Sequence, residues 1–167
     1  MKNTNETGRS MVEMLGVLAI IGVLTVGAMS TVNYGIESFR VRSAYDLVEE
    51  TAKGVVDLYS WKRSYRDDDD DGKNRTAMKT KVCKNIFNEC KNGPSEKCED
   101  GADASCKTAW GKLIVTPGAD DAEFAMSLTD VPFASCSQLL NMEWTNVTLT
   151  TSSCNQNGNT TLNFTAY

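Results

Sequence analysis

A single carboxylate, that of Glu13, interrupts an apolar run that extends from residue 11 to residue 32. The run is close to the ~20 residues that a helix needs to cross a bilayer. A charged side chain near a bilayer centre costs roughly 2.5 to 3.5 kcal/mol on insertion scales, so an acid in such a segment commonly marks a functional position. The chemistry open to one carboxylate in apolar surroundings is to pair closely with a cation.

The rest of the chain offers few groups for catalysis. It contains no histidine, which removes the commonest general base and the commonest metal ligand. No serine or cysteine lies beside an evident base, and no glycine-rich phosphate loop occurs. We therefore expect no enzymatic activity.

Three aspartates have the spacing of a calcium loop. Asp67, Asp69 and Asp71 precede Gly72, but Met78 occupies the position where such a loop has a bidentate glutamate. Adjacent acids also repel one another and commonly form a solvated loop. We favour the solvated loop, keep calcium as the alternative and expect no other cofactor.

The bulk composition limits the partners and the compartment. The net charge of −5 at pH 7 argues against a nucleic-acid partner, because such binding depends on clustered lysine and arginine. All 6 cysteines lie between residues 83 and 154, outside the apolar run, which predicts disulfides formed outside the cytosol. A zinc site is the alternative, but the chain has no CxxC pair. Glycosylation sequons leave that modification open, among them those that begin at Asn74, Asn146, Asn159 and Asn163.

A long helix must position Glu13. No proline occurs between the apolar run and Pro94, and apolar residues from Ile36 to Trp61 recur at steps of three and four. We therefore expect an amphipathic helix over residues 33–65 that continues the apolar one. The first half needs lipid or other copies of itself around it, whereas the second half needs a domain to lie on.

The remainder of the chain predicts an α+β domain. We expect a short helix at 76–88 and strands at 112–116, 123–129, 145–150 and 160–165. A helical turn should follow Pro132, with Ser135 as a candidate N-cap. The strands would form an antiparallel sheet that covers the second half of the long helix. Tyr59, Trp61 and Tyr65 should lie at the seam between helix and sheet.

Residues 8–13, with the sequence GRSMVE, followed by the apolar run resemble the N-terminal signal of type IV pilins and related pseudopilins. The resemblance implies that a dedicated peptidase cuts between Gly8 and Arg9, and it leaves open whether Arg9 is then methylated. It also implies that Glu13 pairs with the amine of Arg9 in a neighbouring subunit. Gly22 corresponds to a position where the family's helix often loosens in the filament.

The tail is similar to the C-terminal half of type IVb-like pilins. The similarity rests on TAWG at 108–111, FAMSLTDVP at 124–132 and the cysteine and leucines that follow. We expect Cys136–Cys154 to tie the last part of the sheet to the preceding helix. Cys83 and Cys90 would lie about 10 Å apart on a continuous helix, which is beyond disulfide reach. Among the remaining pairings we favour Cys83–Cys106 with Cys90–Cys98.

The family resemblance implies four segments and a life cycle. The segments are a leader at 1–8, a membrane-spanning and filament-core helix at 9–32, its amphipathic continuation at 33–65 and a globular extracytoplasmic domain at 66–167. The precursor would be held in a bacterial inner membrane, cut by a prepilin peptidase and polymerised by the pilus assembly machinery into an extracellular filament of identical copies.

Two other functions stay open at this stage. One is a pseudopilin of a type II-like secretion system, and the other is a monomeric, membrane-anchored extracytoplasmic binding domain. Motility, adhesion, DNA uptake and secretion are not distinguished by the sequence, nor is a major subunit from a minor one.

Overall fold

The computed structural model describes residues 6–62, 64–65, 81–87, 104–118, 120 and 122–167, with the backbone alone at 6–10 and 28–31. The chain divides into two compact units, Met1–Phe39 and Arg40–Tyr167. The first unit contains the apolar part of a long helix. The second contains the remainder of that helix and a five-stranded sheet, so the α+β class predicted from the sequence is confirmed.

The long helix α1 extends over Glu6–Tyr59 and ends before the predicted residue 65. Two side chains just beyond the helix donate hydrogen bonds to carbonyl oxygens of its last turn. Ser60 Oγ donates to the carbonyl oxygen of Asp57 at 2.9 Å, and Trp61 Nε1 donates to that of Leu58 at 3.1 Å. These bonds supply donors to carbonyls at the helix end, where intrahelical N–H donors run out.

One face of α1 forms part of the core of the second unit. Val41, Ala44, Val48, Val55 and Tyr59 are buried, as their spacing predicts. The prediction was wrong for three other residues of the same pattern, because Ile36, Phe39 and Trp61 remain exposed.

The sheet has five antiparallel strands in the order β1-β2-β3-β5-β4. Alternate residues of β2, β3 and β5 are buried, which gives the sheet one apolar face toward the core. The strands are β1 (Ala104–Lys107), β2 (Lys112–Pro117), β3 (Phe124–Val131), β4 (Thr148–Leu149) and β5 (Thr160–Ala166).

A short helix, α2, extends over Phe133–Leu140 between β3 and β4. Its N-cap is Pro132, so the prediction of Ser135 as the N-cap was wrong, and Ser135 lies fully buried inside the helix. Within the predicted helix 76–88, residues 81–85 are helical, and 76–80 and 88 lie outside the described residues.

A disulfide joins α2 to the segment before β5. Cys136 and Cys154 are bonded, with their Cα atoms 6.0 Å apart, as predicted. Cys83 and Cys106 are also disulfide-bonded and buried in the core. Cys90 and Cys98 lie outside the described residues, so the pairing among these four cysteines stays a prediction.

A tight turn connects β1 to β2. Thr108 Oγ1 accepts the backbone N–H of Gly111 at 3.1 Å, and the backbone N–H of Thr108 donates to the carbonyl of Gly111 at 2.8 Å. A Cβ atom at Gly111 would lie 2.4 Å from Thr129 Oγ1. The turn therefore packs against the end of β3 at a position that only glycine fits.

Candidate assembly surface

The first unit presents an apolar helical surface to solvent. Its large side chains between Met11 and Val26 are exposed by 53% to 75%. Monomeric soluble proteins rarely expose contiguous apolar patches of more than a few hundred Å². This surface therefore requires a non-aqueous surrounding or a protein partner. Its members are Met11, Val12, Met14, Leu15, Val17, Leu18, Ile20, Ile21, Val23, Leu24 and Val26, and we call them the apolar surface of α1.

The same helix meets the length and composition that a membrane span requires. Among the described residues it is the one such helix, with a mean hydropathy of 2.2 over its most apolar window and none of that window buried. A helix that is apolar on all sides is typical of a membrane span or of a segment buried among other helices.

Thr25 and the backbone of the apolar segment find hydrogen-bond partners within the helix. Thr25 Oγ1 donates to the carbonyl oxygen of Ile21 at 2.6 Å, one turn earlier. The backbone is helical throughout, so its N–H and C=O groups bond to one another. In hydrocarbon this internal pairing is a requirement, because water is not available as an alternative partner.

The glycines of the apolar segment leave space on the helix surface where a side chain would otherwise stand. Nothing lies within 4 Å of the place where a Cβ atom would stand at Gly16, Gly22 or Gly27. Small residues let helices approach closely in apolar surroundings. Gly22 lies in regular helix, and its loosening in a filament stays a prediction.

The predicted processing and assembly residues all fall in α1. Gly8 and Arg9 belong to its helical backbone near the first turn. Glu13 follows about one turn later, and its side chain is exposed among the apolar ones. The proposed partner of Glu13 belongs to a second copy, so the intermolecular pair stays a prediction.

The predicted calcium site lies outside the described residues. This applies to Asp67, Asp69 and Asp71 alike. In the part of the chain that the structure describes, no group of three or more cysteine or acidic side chains could hold a metal ion. The calcium alternative therefore stays a prediction.

A second feature, which the sequence did not indicate, is a set of hydrogen bonds that hold the segment before β4 against α1. The carboxylate of Glu49 accepts the backbone N–H of Thr145 at 2.7 Å and that of Asn146 at 3.1 Å. It also accepts the side-chain amide of Asn146. One turn earlier, Tyr45 donates its hydroxyl to the carbonyl of Glu143 at 2.9 Å. We call residues 143–146 the anchored segment.

This anchoring explains why β4 is shorter than the predicted 145–150. The backbone N–H groups of Thr145 and Asn146 bond to the side chain of Glu49 rather than to a neighbouring strand. After Leu149 the hydroxyl of Thr151 accepts the backbone N–H of Asn163 at 2.8 Å. Thr148–Leu149 pairs with β5 as a strand, and the backbone N–H of Thr150 donates to the carbonyl of Asn163 at 2.8 Å.

Two sequon asparagines are engaged in hydrogen bonds. The amide of Asn146 bonds to Glu49, and Asn163 Oδ1 accepts the hydroxyl of Ser127 at 2.8 Å. Asn159 is exposed, and Asn74 lies outside the described residues.

The predicted aromatic seam is correct for two of its three members. The ring centroid of Tyr65 lies 5.7 Å from that of Tyr59 and 4.9 Å from that of Phe124 on β3. Burial raises the pKa of the Tyr65 phenol above its ordinary value. Trp61 is instead 75% exposed, with the ammonium of Lys62 5.0 Å from its ring centre.

Comparison of the chain with family models, with curated proteins and with solved structures yields no match.

Proposed function

We propose that this chain is the structural subunit of a type IV pilus-like filament. The observation that carries the proposal is the exposed apolar surface of α1, joined to a single acid at a fixed distance after a glycine. A surface of this kind can be stored in lipid and later buried against copies of itself.

Storage and polymerisation use the same side chains. In the membrane, hydrocarbon covers the apolar surface and the helix satisfies its own backbone. In the filament, neighbouring helices replace the lipid, and Gly16, Gly22 and Gly27 let their backbones approach. A peptidase cut between Gly8 and Arg9 would release the amine that the filament needs.

Glu13 sets the stagger between neighbouring helices. Its carboxylate pairs with the terminal amine of Arg9 in the adjacent copy, where water is excluded. Breaking a buried ion pair by removing one partner costs about 3–5 kcal/mol, so one stagger is strongly favoured over the others. A pseudopilin of a secretion system would use the same contact and would form a short assembly instead of a surface fibre.

Substitution of Glu13 tests this function. We expect E13V to insert into the membrane and to fold, but to reduce surface fibres at least tenfold, because the registering charge is lost. The measurement is the amount of chain in sheared surface fibres, counted against the amount in membranes. D46N is the matched control, since Asp46 is an exposed acid of the same helix outside the apolar run.

Fibres of E13V at the normal abundance would show that Glu13 has no role in assembly. Normal cells that carry the processed chain in membranes and never in surface fibres would favour the secretion pseudopilin.

A further inference from the structure

A cavity of about 430 Å³ lies in the second unit, at the sheet edge formed by β5 and β4. Its volume falls within the ~300–1,000 Å³ that is typical of sites for small molecules. It is lined by residues of α1, by residues 144–148, which lead from the anchored segment into β4, and by the end of β5. They include Lys53, Trp144, Asn146, Thr148, Thr165 and Tyr167.

The walls of this cavity are held in place by contacts outside it. The ring centroid of Trp144 lies 4.8 Å from that of Tyr45 and 4.8 Å from that of Phe164, and its Nε1 donates to the carbonyl of Leu139 at 3.2 Å. Glu49 holds the backbone that follows. A site whose walls are fixed before binding loses less entropy when a ligand enters.

The lining has a buried part and a more exposed part, which we call the floor and the rim, and the two differ in chemistry. Val147 and Ala166 are buried and belong to the core, which keeps the floor rigid and apolar. The rim carries the hydroxyl groups of Thr148 and Thr165, which can donate and accept hydrogen bonds. The cavity thus offers an indole, an apolar floor and several hydroxyl groups. A sugar ring has the matching chemistry, because it combines a face of C–H groups with many hydroxyls.

Lys53 brings a positive charge to the cavity. It is the one charged side chain among the described residues that line the cavity. Glu49, the acid four residues before Lys53 on the helix, already accepts the hydrogen bonds of the anchored segment. An ammonium at the rim favours an anionic group on the ligand, because hydrogen bonds between ionised partners are roughly twice as strong as neutral ones.

We propose that this cavity binds a carboxylated sugar residue, with the Lys53 ammonium on the carboxylate, the Trp144 indole against the ring and the threonine hydroxyls on the sugar hydroxyls. The site lies in the second unit, and it does not depend on whether the chain polymerises.

The test is a titration of the full chain in detergent micelles. Binding is monitored through the NMR signal of the Trp144 indole N–H. The probes are D-glucuronate, the neutral sugar D-glucose and the simple anion acetate. We expect a saturable shift with D-glucuronate, at least tenfold weaker binding of D-glucose and of acetate, and no shift of the Trp110 indole, which lies in the turn between β1 and β2 at the other edge of the sheet.

Two lysine variants test whether the ammonium of Lys53 contributes to binding. K53Q should weaken D-glucuronate binding at least tenfold, which corresponds to about 1.4 kcal/mol. K84Q removes an exposed lysine outside the cavity and should leave binding unchanged. The proposal is overturned if D-glucuronate causes no shift, if acetate binds as well as D-glucuronate does, or if K53Q binds like the unaltered chain.

Discussion

The buried phenol of Tyr65 makes the stability of the fold depend on pH. Burial against Tyr59 and Phe124 raises the pKa of Tyr65, so the folded state favours the neutral phenol. The resulting stabilisation is fully present below the unfolded pKa of about 10 and is lost as the pH rises through the higher folded pKa.

Y65F should therefore make the free energy of unfolding less dependent on alkaline pH. Urea denaturation between about pH 8 and pH 11 measures this dependence, and phenylalanine keeps the ring contacts while it removes the titrating group. Y167F is the matched control, because Tyr167 is 71% exposed. An unchanged alkaline slope in Y65F would show that the buried phenol does not set it.

Two glycines of the second unit should respond in opposite ways to the same substitution. In G111A the new Cβ would lie 2.4 Å from Thr129 Oγ1 and 2.6 Å from the carbonyl oxygen of Thr129. We expect a loss of about 1–3 kcal/mol in the free energy of unfolding, which is typical of overpacking. In G54A the nearest atom is Ile86 Cδ1 at 3.4 Å, an ordinary contact.

Because Gly54 lies within α1, G54A should stabilise the fold by up to ~1 kcal/mol through helix propensity. Chemical denaturation of both variants gives the comparison. Equal stability of the two would contradict the close approach described for the turn between β1 and β2.

At the scale of elements, one carboxylate on α1 determines where β4 begins. Glu49 accepts three N–H donors from Thr145 and Asn146. In E49Q one carboxylate oxygen becomes an amide that faces these donors. We expect a loss of about 1–3 kcal/mol in the free energy of unfolding, since hydrogen bonds to charged groups are worth roughly that amount.

D46N serves again as the control for E49Q, because it removes a charge from the exposed side of the same helix. The measurement is the urea midpoint, together with the amide proton exchange of Thr145 and Asn146. Unchanged protection of these two amides in E49Q would mean that the anchored segment is held by Tyr45 and Trp144 instead.

The sequence predicted those elements whose pattern is strong and local. β2, β3 and β5 alternate apolar and polar residues, and the buried stripe of α1 recurs at helical spacing, so both could be identified. β1 was not predicted, because Ala104, Ser105 and Cys106 are all buried and show no alternation. Its strand conformation depends on pairing with β2, a contact that no local pattern reveals.

Side-chain contacts, some local and some distant in sequence, account for the errors at element ends. The end of α1 depends on the side chains of Ser60 and Trp61, which bond to the last turn. The start of β4 depends on Glu49, far away along the chain. The cavity beside Lys53 likewise could not be predicted from the sequence, since its walls come from three separate parts of the chain.

At the scale of the whole molecule, the chain combines a unit that buries its apolar residues with one that does not. The second unit has a core of fully buried residues such as Leu113, Leu128 and Phe164. The first leaves the apolar surface of α1 exposed. The difference between the two was predictable from residues 11–32, because an apolar helix without a polar face has no solvent side.

The most direct test of the proposed assembly is N-terminal sequencing of this chain from sheared extracellular fibres. We predict that the chain is present there, retains its apolar helix and begins at Arg9. Its absence from the fibres, a start at Met1, or a start beyond residue 32 would contradict the proposal that the apolar surface of α1 forms the filament core.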